Sequence, residues 1–156
     1  MNKYDITPAK HNDTPEILKI YQGLIGVPGC AYNWHYPNEE DIKSDIKNQA
    51  LYAMKEEGRI IAVATIIPDS ESSGNNCVLE RFSIAPALLG QGIGTVFLKN
   101  IVALAREKGF DGIVMLVSKT NLAALVLYDK NGFERYGETS MYGIDFWRYR
   151  LKFAER

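Results

Sequence analysis

Histidine and cysteine are nearly absent from this 156-residue sequence, with two of each. His11 and His35 have no nearby partner at ligand spacing, and Cys30 and Cys77 lie far apart, so no metal site is expected. The same two cysteines make buried or indifferent free thiols the favoured reading over a disulfide or a nucleophile. An excess of one charge is also lacking. Eighteen Lys and Arg against 19 Asp and Glu leave a formal charge of -1, which gives no long-range pull towards nucleic acid or an anionic membrane. No apolar run approaches the ~20 residues that span a bilayer. The stretch Met1-Asn2-Lys3-Tyr4-Asp5-Ile6 has no apolar signal region, so a cytoplasmic protein is expected. Repeats and low-complexity tracts are missing too. What is present is the composition of a soluble globular chain, 46% apolar and 24% charged. Its length suits one domain over residues 1–156, enough to bury about 70% of the unfolded surface.

Glycine is where the sequence becomes specific. Leu89-Gly90-Gln91-Gly92-Ile93-Gly94-Thr95 lies between an apolar strand, residues 78–84, and an amphipathic helix. Pro86 ends the strand and biases Ala85 towards extended geometry. Ile93, Val96, Phe97, Ile101, Leu104 and Ala105 recur at helical spacing until Gly109 stops them. Strand, glycine turn and helix start aim free backbone N–H groups and the positive end of a helix dipole at one point, which suits a phosphate. The Walker pattern fails because Thr95-Val96 follows Gly94 where Lys-Ser or Lys-Thr is needed. The dinucleotide pattern, started at Gly90, asks for glycine at Thr95. Taken alone, the turn also fits an ordinary glycine-rich connection.

A second segment, residues 121–133, reads as a helix with Asn121 as N-cap and Gly132 as its stop. Together the two segments resemble the GNAT acyltransferases. Gly92 and Gly94 fit that family's R/Q-x-x-G-x-G/A turn, and Asn121, Ala124, Leu127, Tyr128, Lys130, Gly132 and Phe133 fit its N-x-x-A-x-x-L-Y-x-K-x-G-F segment. The likeness covers about residues 77–137. Leu89 stands where the family usually has Arg or Gln, so one side-chain contact to the cofactor is lost while the backbone cradle stays.

Taken in order, residues 4–7 form a strand, and Thr14-Pro15-Glu16 opens a helix with Thr14 as cap. Residues 26–37, with Tyr32, Trp34, His35 and Tyr36, read as a loop. A charged helix follows from Asn38 to about Gln49. Residues 51–54 and 60–67 are strands joined by a turn at residues 56–59, and residues 69–76 are a polar, mobile loop. Residues 112–117 form an apolar strand expected to be covered on both faces. Residues 133–136 and 142–153 complete the chain as strands, the last with Phe146, Arg148, Arg150 and Lys152 on a polar face. The resemblance implies an α/β (α+β) fold: a mixed, mostly antiparallel sheet flanked by helices on both faces and splayed at its centre.

It also implies an acetyl-coenzyme A dependent N-acetyltransferase with no metal. Leu89, Gly90, Gln91, Gly92, Ile93, Gly94 and Thr95 would cradle the pyrophosphate, and Asn121 and Tyr128 would face the cofactor. Tyr128 would protonate the departing thiolate, and main-chain N–H groups at Ser83 and Ile84 would hold the oxyanion and pantetheine. Glu80 interrupts an apolar strand and is either the general base or a glutamate ion-paired with Arg81. Strict alternation puts Glu80, Phe82 and Ile84 on one face. Trp34, Tyr36 and Tyr142 either line an acceptor pocket or form a small satellite core. Lys130 either meets the 3'-phosphate or stays in solvent. The expected partner is a small amine or a peptide end, with no nucleic acid or membrane, and a homodimer is left open. A catalytically silent coenzyme A binding module and a protein N-terminal acetyltransferase are the alternatives.

Overall fold

The computed structural model describes residues 4–71 and 74–154. Met1, Asn2 and Lys3 of the N-terminal stretch, and Ser72 and Ser73 of the polar loop, lie outside the described residues. The strands are β1 (Asp5–Pro8), β2 (Leu51–Glu56), β3 (Arg59–Pro68), β4 (Asn76–Ile84), β5 (Gly112–Ser118), β6 (Glu134–Met141) and β7 (Ile144–Lys152). The helices are α1 (Thr14–Gly23), α2 (Glu39–Lys47), α3 (Ile93–Glu107) and α4 (Leu122–Lys130). They join one seven-stranded sheet in the order β1-β2-β3-β4-β5-β7-β6, in which only β4 and β5 run parallel.

The apolar periodicities decide which face each helix covers. On one face Phe97, Leu98 and Ile101 of α3, with Leu125 and Tyr128 of α4, pack on Ala62, Ala64, Ile84, Met115 and Val117. On the other, Ile17, Ile20 and Tyr21 of α1 and Ile42 of α2 pack on Leu51, Ala53 and Val63. Asn38 caps α2 in a reciprocal box with Asp41, at 3.0 and 2.8 Å.

Three local expectations need correction. Thr14 does not cap α1: a 3-10 turn, His11–Asp13, runs straight into the helix, so Thr14 is already helical at φ -52° and Asp13 takes the cap position. Strand β5 is not covered on both faces, because α1 and α2 lie over the β1-to-β4 half, and Leu116 is 38% exposed. Tyr142 does not begin the last strand. It shares the β6–β7 turn with Gly143, both at positive φ, and is 96% exposed.

The sheet opens at its centre. Strands β4 and β5 are paired over three rungs only, Asn76 to Val78 against Gly112 to Val114, and beyond Val78 the nine-residue β4 leaves β5 behind. Strand β4 also carries a bulge. Val63 pairs with Ser83 and Thr65 with Glu80, so Arg81 and Phe82 together stand opposite Ala64, with Arg81 at φ +49°.

Candidate active site

The bulge changes which side chains share a face. Phe82 lies against Phe97 of α3, with ring centroids 5.0 Å apart, and Ile84 is buried in the same core. Glu80 pairs with Thr65, whose hydroxyl donates to Asp45 of α2 at 2.9 Å, so Glu80 belongs to the opposite face. The expected grouping of Glu80 with Phe82 and Ile84 is therefore wrong, because one extra residue at the bulge reverses the alternation.

The two lips of the opening meet at backbone and phenol groups. Ala85 donates its N–H to Ile61 at 2.8 Å, which makes that pair a hydrogen-bonded one. Its neighbour Ala62–Ile84 is then of the outward-facing kind, so the Ile84 N–H points away from β3 into the gap. By the same alternation Ser83 turns its N–H towards β3, and its hydroxyl bonds Tyr32 Oη at 2.8 Å. Across the gap Tyr128 is 5% exposed among Phe82, Phe133 and Tyr149, at centroid distances of 6.0, 5.5 and 6.0 Å. Burial raises its pKa, and the neighbouring Tyr32 phenol adds to the rise. Its hydroxyl has no hydrogen-bond partner among the described residues. A proton held this way is present throughout the neutral range, next to the place where a leaving group would need it.

Above the gap lies the glycine turn. Helix α3 has Gly92 as its cap residue at φ +80°, with no side-chain cap, and Val96 is the first amide of the helix to bond back, to Gly92 O at 3.4 Å. The preceding N–H groups of the helix start have no helical carbonyl to reach. Gly90 is also left-handed, Gly90, Gln91 and Gly92 are exposed, and Ile93, Gly94 and Thr95 are half-buried. Gln91 folds back to donate to Ala87 O at 3.3 Å, and Leu89 is 43% exposed. Asn121 caps α4 through a 3.3 Å bond from Ala124 N. Lys130 is exposed at the end of α4.

Loop 24–38 spans the opening and is tied to both lips. Gly29 sits against the backbone of Thr120 and Asn121, where an added Cβ would come within 2.4 Å of Asn121 Cα. On the other side Tyr32 holds Ser83, and Tyr36 accepts from Arg81 Nη1 at 2.9 Å. Arg81 also bonds Asp45 at 2.7 Å and lies 3.4 Å from Glu80. Burial pulls its pKa down, but Tyr36 and Asp45 more than offset this and hold it above its usual value. Glu80 is thus ion-paired with Arg81 as the second of its two readings requires, yet its side chain keeps 38% exposure. Trp34 is 68% and Tyr36 42% exposed on this loop, whereas Tyr142 is at the tip of a separate hairpin.

Tyr32, Gly29 and Asp45 were not legible as site residues. Tyr32 was visible only as one of a cluster of loop aromatics, and Asp45 reads as one charge among many on α2. Among the described residues no group of three His, Cys, Asp or Glu side chains gathers as a metal site would, and no helix is long and apolar enough to cross a membrane.

Comparison with known proteins bears on this geometry. A family model described as the acetyltransferase (GNAT) family matches residues 17–133. The chain is 25% identical to N-acetyltransferase 8 of Rattus norvegicus over 97 residues, 61% of this chain and 44% of that one. It spans about half the length of such curated relatives. Its fold superimposes on the ribosomal-protein-S18-alanine N-acetyltransferase of Escherichia coli with a TM-score of 0.79 at 19% identity, covering 98% and 96% of the two chains. It matches yncA of Salmonella typhimurium, a structure with its cofactor acetyl-CoA, with a TM-score of 0.80 at 18% identity, covering 99% and 96%.

Proposed function

Because this chain belongs to the acetyltransferase (GNAT) family, we propose that it moves an acetyl group from acetyl-coenzyme A to a primary amine, of a small molecule or a peptide end, by direct attack. The observation that carries this reading is the meeting of the Ile84 N–H and the protonated Tyr128 at one gap below an uncapped helix start. The turn at residues 89–95 holds the pyrophosphate through its amides and the helix dipole. The pantetheine arm lies along the unpaired lip of β4, and the acetyl-CoA in the yncA structure supports this donor.

The amine nitrogen attacks the thioester carbonyl, the C–N bond forms, and the Ile84 N–H stabilises the oxyanion. Collapse breaks the C–S bond. Tyr128 gives its proton to the departing thiolate, while Glu80 takes the proton that the amine loses, directly or through one water. Trp34 and Tyr36 present aromatic faces to the protonated amine before it reacts, beside Glu39, Glu40 and Asp41 at the start of α2. The chain works as a single acyltransferase domain in a cytoplasmic setting, consistent with its two free thiols. Ribosomal-protein alanine is the acceptor that the name of the E. coli structural relative gives, so peptide ends belong in the search.

Steady-state thiol release over a panel of amines, amino acids, aminoglycosides and peptides tests the reading. At least one amine is expected to drive turnover. Trp34→Ala should then raise KM for that amine but not for acetyl-coenzyme A, and Glu80→Gln should lower turnover. Coenzyme A binding without turnover on any acceptor would favour the silent module, and a variant with unchanged constants removes its residue from the site.

A further inference from the structure

The floor of the gap is aromatic. Five rings, Phe82, Phe97, Tyr128, Phe133 and Tyr149, touch in a continuous chain with centroids 5.0 to 6.0 Å apart. Four of them are buried, and Phe82 alone keeps part of its surface exposed. It does so because it lies on the lip of β4 beyond the last rung with β5, two residues before the amide that faces the gap. The bulge puts it there. Counting in twos from the buried Leu79 would bring Arg81 to this face, but the extra residue sends Arg81 to Asp45 on α2 and turns Phe82 towards α3.

We propose that Phe82 limits the length of the acyl chain that the site accepts, restricting the donor to short acyl thioesters. This rests on the acyltransferase reading above, which sets the thioester carbonyl at the Ile84 N–H and its sulfur near Tyr128. The acyl carbons beyond that carbonyl then meet Phe82, the half-buried ring on the same lip two residues before that amide. Behind that ring there is Phe97, tilted 31° to it, and beside it the Tyr128 edge at 69°. A longer chain has to displace a side chain already packed on two sides, and a close-packed interior resists that.

The experiment measures affinity by calorimetry for coenzyme A and its acetyl, butyryl and hexanoyl thioesters, with thiol release on the best amine alongside. In the unmodified protein butyryl is expected to bind about tenfold or more weaker than acetyl, the scale of a chain too long for a closed pocket. Phe82→Ala should bring the two to near equality while leaving the affinity for coenzyme A itself in place. Phe82→Leu, which keeps an apolar side chain in the core, should admit butyryl and still exclude hexanoyl, so a poorly folding alanine variant does not end the test. Equal affinity for all thioesters in the unmodified protein, or an unchanged butyryl-to-acetyl ratio in both variants, overturns the proposal and leaves the acyltransferase reading intact. Failure of every thioester and of coenzyme A to bind overturns both.

Discussion

Tyr128 and Glu80 show how differently two candidate groups can be supported by their surroundings. Tyr128 is enclosed by rings and its pKa is raised by burial, so it is protonated at neutral pH. Replacing it by phenylalanine keeps the ring contacts to Phe82, Phe133 and Tyr149 and deletes only the hydroxyl. Turnover of Tyr128→Phe should fall by about 100-fold, the ordinary scale of general acid catalysis, with calorimetric affinity for acetyl-coenzyme A unchanged. Retained turnover would leave Tyr128 as packing alone. Glu80 stands on the other face, beside Arg81 and within reach of solvent, so the base role proposed for it depends on a proton path through water.

Among the elements, the glycine turn and helix α3 stand or fall together. A Cβ built on Gly92 meets nothing within 4 Å of the protein, so the position is empty on the side where a ligand would lie. Its φ of +80° is costly for a β-branched residue, about 1–2 kcal/mol. Gly92→Val should therefore remain folded with a somewhat lower melting temperature, and its affinity for coenzyme A should drop about tenfold or more as the side chain blocks the amides. Unchanged affinity in a folded variant would move the phosphate elsewhere. Helix and strand order was legible because apolar spacing marks α1 and α3, an unbroken apolar run marks β5, and Asn121 and Gly132 bracket α4, and the glycine turn was legible because its glycines have local causes. The bulge was not. Glu80-Arg81-Phe82-Ser83 carries no glycine to flag the positive φ at Arg81, and its cause is non-local, in Asp45 and Tyr36. The seat of Gly29 on Asn121 joins residues 92 positions apart, which no pattern in either segment announces.

For the whole molecule, burial of neutral acids makes stability depend on alkaline pH. Tyr21, Tyr32 and Tyr128 are raised above the usual tyrosine value, and burial pushes the Cys77 thiol up to about 12. Each folded pKa exceeds the unfolded one, so the stability these groups contribute is fully present below about pH 9 and is lost as the unfolded chain ionises above it. The urea midpoint should be level between pH 7 and pH 8.5 and lower at pH 11, and equal midpoints at pH 8 and pH 11 would contradict this. Tyr21→Phe should flatten the fall by removing one of these groups, and it breaks no hydrogen bond, since the buried Tyr21 hydroxyl has no partner among the described residues. The opened sheet has one more consequence. Beyond Val78 the lip of β4 is a strand edge inside a sheet, a row of unpaired backbone groups of the kind that recruits foreign strands and seeds aggregates. A kink at Arg81, charges on Glu80 and Arg81, and loop 24–38 laid across the mouth are the devices by which such edges are blunted. The unpaired lip is thus guarded against pairing with a foreign strand.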